Sequence, residues 1–110
     1  MGQDFRLGCQ TFTWEMLGAG WTGGPDDLLA AIAAAGYTGI EITDKMIGHY
    51  IDDPAGFAAA LDRAGLTLVA YATASASGYC EASQVAADVA RMRETARFVA
   101  RFPGALISMG

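Results

Sequence analysis

Two cysteines, three prolines and one histidine are all that this 110-residue chain holds of three residue types that often define small proteins. Cys9 and Cys80 lie too far apart for a two-cysteine metal knuckle and are too few for a disulfide scaffold. His49, in the loop segment "MIGHYIDD", has no second histidine to form an HxH pair and no HxxE spacing, so its plain reading is a surface residue. Basic residues are scarce as well: 7 against 12 acidic ones, for a net charge of −5 and a pI near 4.5. Such a surface repels phosphate backbones, so no nucleic-acid partner is expected. The longest apolar run, Leu28 to Ala35, falls far short of the roughly 20 residues that a spanning helix needs, so no membrane partner is expected either. The opening residues, Met-Gly-Gln-Asp-Phe-Arg, lack the basic-then-apolar order of a secretory leader. A cytoplasmic location is the expectation.

What the chain does hold is hydrophobic residues, 53% of the total, and 14 glycines, a globular composition. Their order is periodic. "PDDLLAAIAAAG" is rich in alanine and leucine and favours a helix. Pro25 suits the first helical turn, Asp26 and Asp27 complement the helix dipole, and Gly36 can close the helix in a left-handed conformation. "YTGIEIT" then reads as a strand. The same grammar returns from Asp53, a good N-cap, and Pro54 through "FAAALDRAG" to the strand "LTLVAYAT". A third, longer copy spans 83–102, with Val85, Val89, Met92, Ala96 and Val99 on one helical face. Phe102-Pro103-Gly104 stops it before a last strand, "ALISM". "FRLGCQTFTW" reads as the first strand. Short strands alternating with helices predict parallel pairing with right-handed crossovers. The nearly continuous apolar runs predict a sheet covered on both faces. With no linker and no low-complexity tract, 1–110 reads as a single domain.

Within "GYTGIEITD" a carboxylate, Glu41, interrupts two isoleucines. Alternation puts Ile40 and Ile42 on one sheet face and Glu41 on the other. In a doubly wound sheet that second face is covered by helices, and a lone carboxylate there is costly. In a closed barrel it is the interior, which opens on a solvated mouth where active sites of such barrels sit. Two readings follow. Glu41 is a structural carboxylate that ties down backbone amides or an arginine, or it contacts a substrate hydroxyl.

"LGCQTFTW", "AAAGYTGIEIT" and "YIDDPAGFAAALDRAGLTLVAYA" together resemble the xylose isomerase-like TIM-barrel superfamily, the sugar phosphate isomerases and epimerases. The resemblance spans nearly all of the chain but only about the first half of such a domain. It implies an α/β fold, a partial (β/α)8 TIM barrel made of the first four parallel strands with three intervening helices. A strand-to-strand period of about 29 to 39 residues, repeated through a whole barrel, reaches roughly 250 or more, the usual barrel size. The implied function is the N-terminal part of a metal-dependent enzyme that isomerises, epimerises or dehydrates a sugar or polyol by proton transfer next to a carbonyl. The full-length parent would hold a divalent cation (Mn, Mg, Co or Zn) on carboxylates and a histidine drawn mostly from later strands. No catalytic residue and no metal ligand is expected in this portion, which would be inactive alone. Its contribution would be pocket wall: Phe12 and Trp14 ending the first strand, Glu41 and Asp44 the second, Tyr71 and Thr73 the third, with Glu41, Phe12, Trp14 and Tyr71 as substrate-binding candidates.

The alternative is a non-catalytic α/β module that binds a ligand or forms half-barrel dimers through its exposed strand edges. An endonuclease IV-like role fits poorly with one histidine and net negative charge. Trp14 and Trp21 bracket a glycine-rich loop and read as packed core or as lid. Glu15 reads as a solvated loop acid, and Cys9 as a small buried hydrophobe. Arg91, Arg93, Arg97 and Arg101 read as a solvated helix face.

Overall fold

The computed structural model describes residues 5–110. The opening residues 1–4, part of the segment read for a secretory leader, lie outside the described residues. The strands are β1 (Gly8–Gln10), β2 (Gly39–Thr43), β3 (Thr67–Thr73) and β4 (Leu106–Met109). The helices are α1 (Phe12–Glu15), α2 (Pro25–Ala34), α3 (Pro54–Ala64) and α4 (Val85–Val99). The strands form one sheet in the order β1-β2-β3-β4, every neighbouring pair parallel. The chain is therefore α/β, with parallel strands alternating with helices.

The local signals act as their chemistry requires. Pro25 opens α2, and Asp27 Oδ2 accepts the Gly24 N–H at 2.7 Å. Asp53 caps α3 by accepting the Gly56 N–H at 3.0 Å. Gly36 and Gly65, at φ +91° and +69°, turn the chain out of each helix toward the next strand.

One hydrophobic core joins all three long helices to a single face of the sheet. Leu29 and Ile32 of α2, Phe57 and Leu61 of α3, and Phe98 and Val99 of α4 meet Ile40, Ile42, Leu68 and Tyr71 of the strands. Phe57, fully buried, lies at the centre, with ring centroids 5.4 Å from Tyr50, 6.2 Å from Phe98 and 5.5 Å from Phe102. Burying one such ring contributes about 1.5–3 kcal/mol.

The opposite sheet face is bare, which corrects the expectation of a sheet covered on both sides. Val69 is 48% exposed and Leu106 is 68% exposed. The apolar run in β3 has a local cause instead. The β2–β3 register shifts between Ile40 and Glu41, pairing Ile40 with Leu68 but Glu41 with Ala70. Val69 is the extra residue, and this bulge lets Leu68 and Tyr71, three apart, both face the helices.

Two further expectations change. "TFTW" is not strand: β1 stops at Gln10, and Phe12–Glu15 form the single turn α1. The core face of α4 is Thr95, Phe98 and Val99 in its last turns, whereas Val85 and Val89 in its first turns are exposed. No helix among the described residues is long and apolar enough to cross a membrane.

Candidate functional site

The carboxyl ends of the strands surround a concavity of about 240 Å³ lined by Gln10, Phe12, Glu15, Thr43, Asp44, Lys45, Ser108 and Met109, among others. Two hydrogen-bond networks build its floor.

The first starts at Thr11, which is fully buried although polar. Its N–H donates to the Glu41 carbonyl at 3.0 Å and so extends the β1–β2 pairing by one residue. Its hydroxyl oxygen accepts the Thr43 N–H at 3.0 Å, and its proton points to Thr43 Oγ1 at 3.5 Å. The Thr43 hydroxyl in turn donates to Glu15 Oε1 at 3.1 Å. Protons in this relay are donated in one direction, from Thr11 to Thr43 to the Glu15 carboxyl oxygen at the rim. Glu15 is thus not the freely solvated loop acid expected from sequence; the turn α1 brings it over the end of β2.

The second network centres on Asp44. Its Oδ2 accepts from Thr73 Oγ1 at 3.3 Å, from the Ala74 N–H at 3.4 Å and from Arg91 Nη2 at 3.3 Å. The ion pair is open to water, with Arg91 half exposed, and is worth at most about 1 kcal/mol. Its effect is geometric: it ties the ends of β2 and β3 to α4.

The four substrate-binding candidates separate. Phe12 lines the concavity, 51% exposed. Glu41 lies half-buried on the helix-free face, beside Gln10 and Ala70, one strand residue pair below the rim. Among the described residues none ties down its carboxylate, and Arg91 pairs with Asp44 instead. Trp14 packs against the core and sits edge-on to Trp21 at 6.3 Å. It leaves the site because the α1 turn rotates it toward the helix layer. Tyr71 is likewise a correction. The bulge turns it to the helix side, where it is 3% exposed and packs on Phe98 at 5.4 Å. Desolvation there, with Asp44 nearby, pushes its hydroxyl up to about 12. The other expected contributors fall into place: Asp44 and Thr73 share the second network, while His49 is exposed and stacks on Tyr50 at 4.1 Å.

Sequence reading passed over Thr11 and Thr43 altogether. The signal was present: Gln10 pairs with Glu41, Thr11 lies one residue beyond the first and Thr43 two beyond the second, so the two threonines meet at the strand ends and bond across. A larger concavity of about 540 Å³ lies at the amino ends of the strands, between Leu7, Gly8, Gly39, Thr67 and Val69. Its wall mixes Phe5, Leu7 and Val69 with Arg6, Thr38 and Thr67 and holds no carboxylate.

Among the described residues no three His, Cys, Asp or Glu side chains gather in an arrangement that could hold a metal ion. Glu15, Glu41 and Asp44 share one end of the sheet, but Glu15 and Asp44 are each committed to hydroxyl, amide or guanidinium donors. No protein-family model, no curated protein and no solved structure matches the chain.

Proposed function

We propose that the chain supplies the first four strands of a (β/α)8-type barrel enzyme acting on a sugar or polyol by proton transfer next to a carbonyl. One observation carries the reading. An unreversed parallel sheet with every long helix on one face leaves an untied carboxylate, Glu41, on the other face, below a polar rim at the carboxyl ends of the strands. That is where barrel enzymes place their chemistry. Glu41 accepts substrate hydroxyls, Phe12 offers a ring face to the sugar, and Gln10 and Ser108 add polar contacts. No step is assigned to a metal, because this chain does not assemble ligands for one. Two free thiols, Cys9 and Cys80, accord with a cytoplasmic setting.

The test is binding. Aldoses, ketoses and polyols titrated into isotopically labelled protein are expected to shift the amide resonances of Gln10, Glu41, Thr43 and Ser108. Glu41→Gln is expected to weaken the binding about tenfold, the loss of one charge-assisted hydrogen bond. Shifts confined to the amino ends of the strands, or none at all, overturn the reading.

A second reading, a non-catalytic α/β binding or assembly module, is favoured by the state of Asp44. Its carboxylate serves to tie β2, β3 and α4 together rather than to meet a ligand. Sugar binding that survives Glu41→Gln unchanged would favour this module.

A further inference from the structure

We infer that the groove between α4 and the 3-10 turn Gly48–Asp52 binds a small hydroxylated amine, of the amino-alcohol or amino-sugar kind. The groove holds about 370 Å³, near the lower end of the range for ligand pockets. It lies on the helix side of β3, a strand with a neighbour on both sides, so its walls do not depend on either edge of the sheet. It is also separate from the carboxyl-end concavity. The Asp44–Arg91 ion pair stands between the two, with Asp44 lining the concavity and Arg91 the groove. The inference therefore does not rest on the proposed function.

The floor carries the argument. Tyr71 and Thr95 line the groove and are only 3% and 6% exposed. Neither hydroxyl has a hydrogen-bond partner among the described residues, and neither is sealed in the interior as the Tyr79 hydroxyl is; both open on the groove. Side-chain hydroxyls this deeply placed are normally paired, as Tyr50 is with Asp26. The upward push on the Tyr71 hydroxyl agrees, since it comes from desolvation and from Asp44 with no hydrogen bond contributing. The rim sets the charge. Asp52 and Glu94 are exposed and pair with no cation among the described residues, whereas Arg91 is neutralised by Asp44 at 3.3 Å. Two free carboxylates thus stand above two free hydroxyls. An ammonium group meets the carboxylates, oxygens of the same ligand meet Tyr71 and Thr95, and Phe98 packs on its carbon frame. An anion would have to displace Arg91 from Asp44 and face both carboxylates.

Titration of glucosamine into the isotopically labelled full chain tests this, at about pH 6.5, where an amine is protonated. Saturable shifts are expected at the amides of Asp52, Tyr71, Glu94 and Thr95. Glucose, of the same shape without the charge, is expected to act there about tenfold more weakly. Thr95→Val and Tyr71→Phe should each weaken glucosamine binding about three- to tenfold. Because these hydroxyls have no partner in the chain, neither change should lower the urea midpoint of the free protein. Asp52→Asn combined with Glu94→Gln should abolish the preference for glucosamine over glucose. Equal affinity for glucose, tighter binding of inorganic phosphate, or no saturable shift at these four positions overturns the inference. A lowered urea midpoint in both hydroxyl variants overturns it too, because the hydroxyls then serve the fold. Glu41→Gln should leave glucosamine binding unchanged; its loss would place the amine in the carboxyl-end concavity and overturn the inference, while the sugar titration of that concavity is judged separately.

Discussion

Thr11 is fully buried, yet both atoms of its hydroxyl group are in use. Replacing it with valine keeps the shape and orphans the Thr43 N–H. We expect a loss of about 1–3 kcal/mol in urea unfolding, a large effect for a change of one polar atom. Tyr71 gives a pH prediction. Its hydroxyl ionises near 12 in the folded chain, against an ordinary value of 10. The raised value favours the protonated, folded form, so this contribution is complete below pH 10 and is lost as pH rises from 10 through 12. Tyrosinate absorbance should show Tyr71 titrating late, alongside Tyr50, whose hydroxyl is raised by its hydrogen bond to Asp26, and the Tyr71 titration should move down toward 10 on unfolding in urea. Burial also pushes the Cys9 thiol up, while Cys80 lies exposed in a loop. Iodoacetamide at neutral pH should therefore label Cys80 well before Cys9, as mass spectrometry of the peptides would show.

Among the elements, the helices were the most legible. α2 and α3 follow from their proline starts, aspartate caps and glycine stops, all of which act within a few residues of one another. Asp53→Ala removes the acceptor for the Gly56 N–H and should cost about 1 kcal/mol in thermal or urea unfolding. The elements that escaped the sequence depend on distant partners. "TFTW" alternates like a strand, but β1 has no partner past Thr11, since the β2 chain is by then bonded to the Thr11 side chain. The bulge at Val69 leaves no local mark either, because a run of apolar residues fits either face of a sheet. That single inserted residue moved Tyr71 from the expected site into the core. Only the placement of Glu41 was readable directly, because the isoleucines on each side fix its face.

For the molecule as a whole, burial is uneven. β2 and β3 lie between neighbours, while β1 and β4 each lack one, and the radius of gyration, 14.9 Å, exceeds the roughly 13 Å of a compact domain of this length. Amide hydrogen exchange should be slowest in 40–43 and 68–72 and fastest in β1, by several orders of magnitude if the ends open independently. The strand order also has a bearing on how such a chain forms. Because each strand pairs only with its successor, every loop to be closed is about one βα unit long, whatever the total length. Structure can therefore start at the middle unit, β2-α3-β3, and spread to either side, as in a solenoid, and a unit gained or lost at an end leaves the rest of the wiring intact.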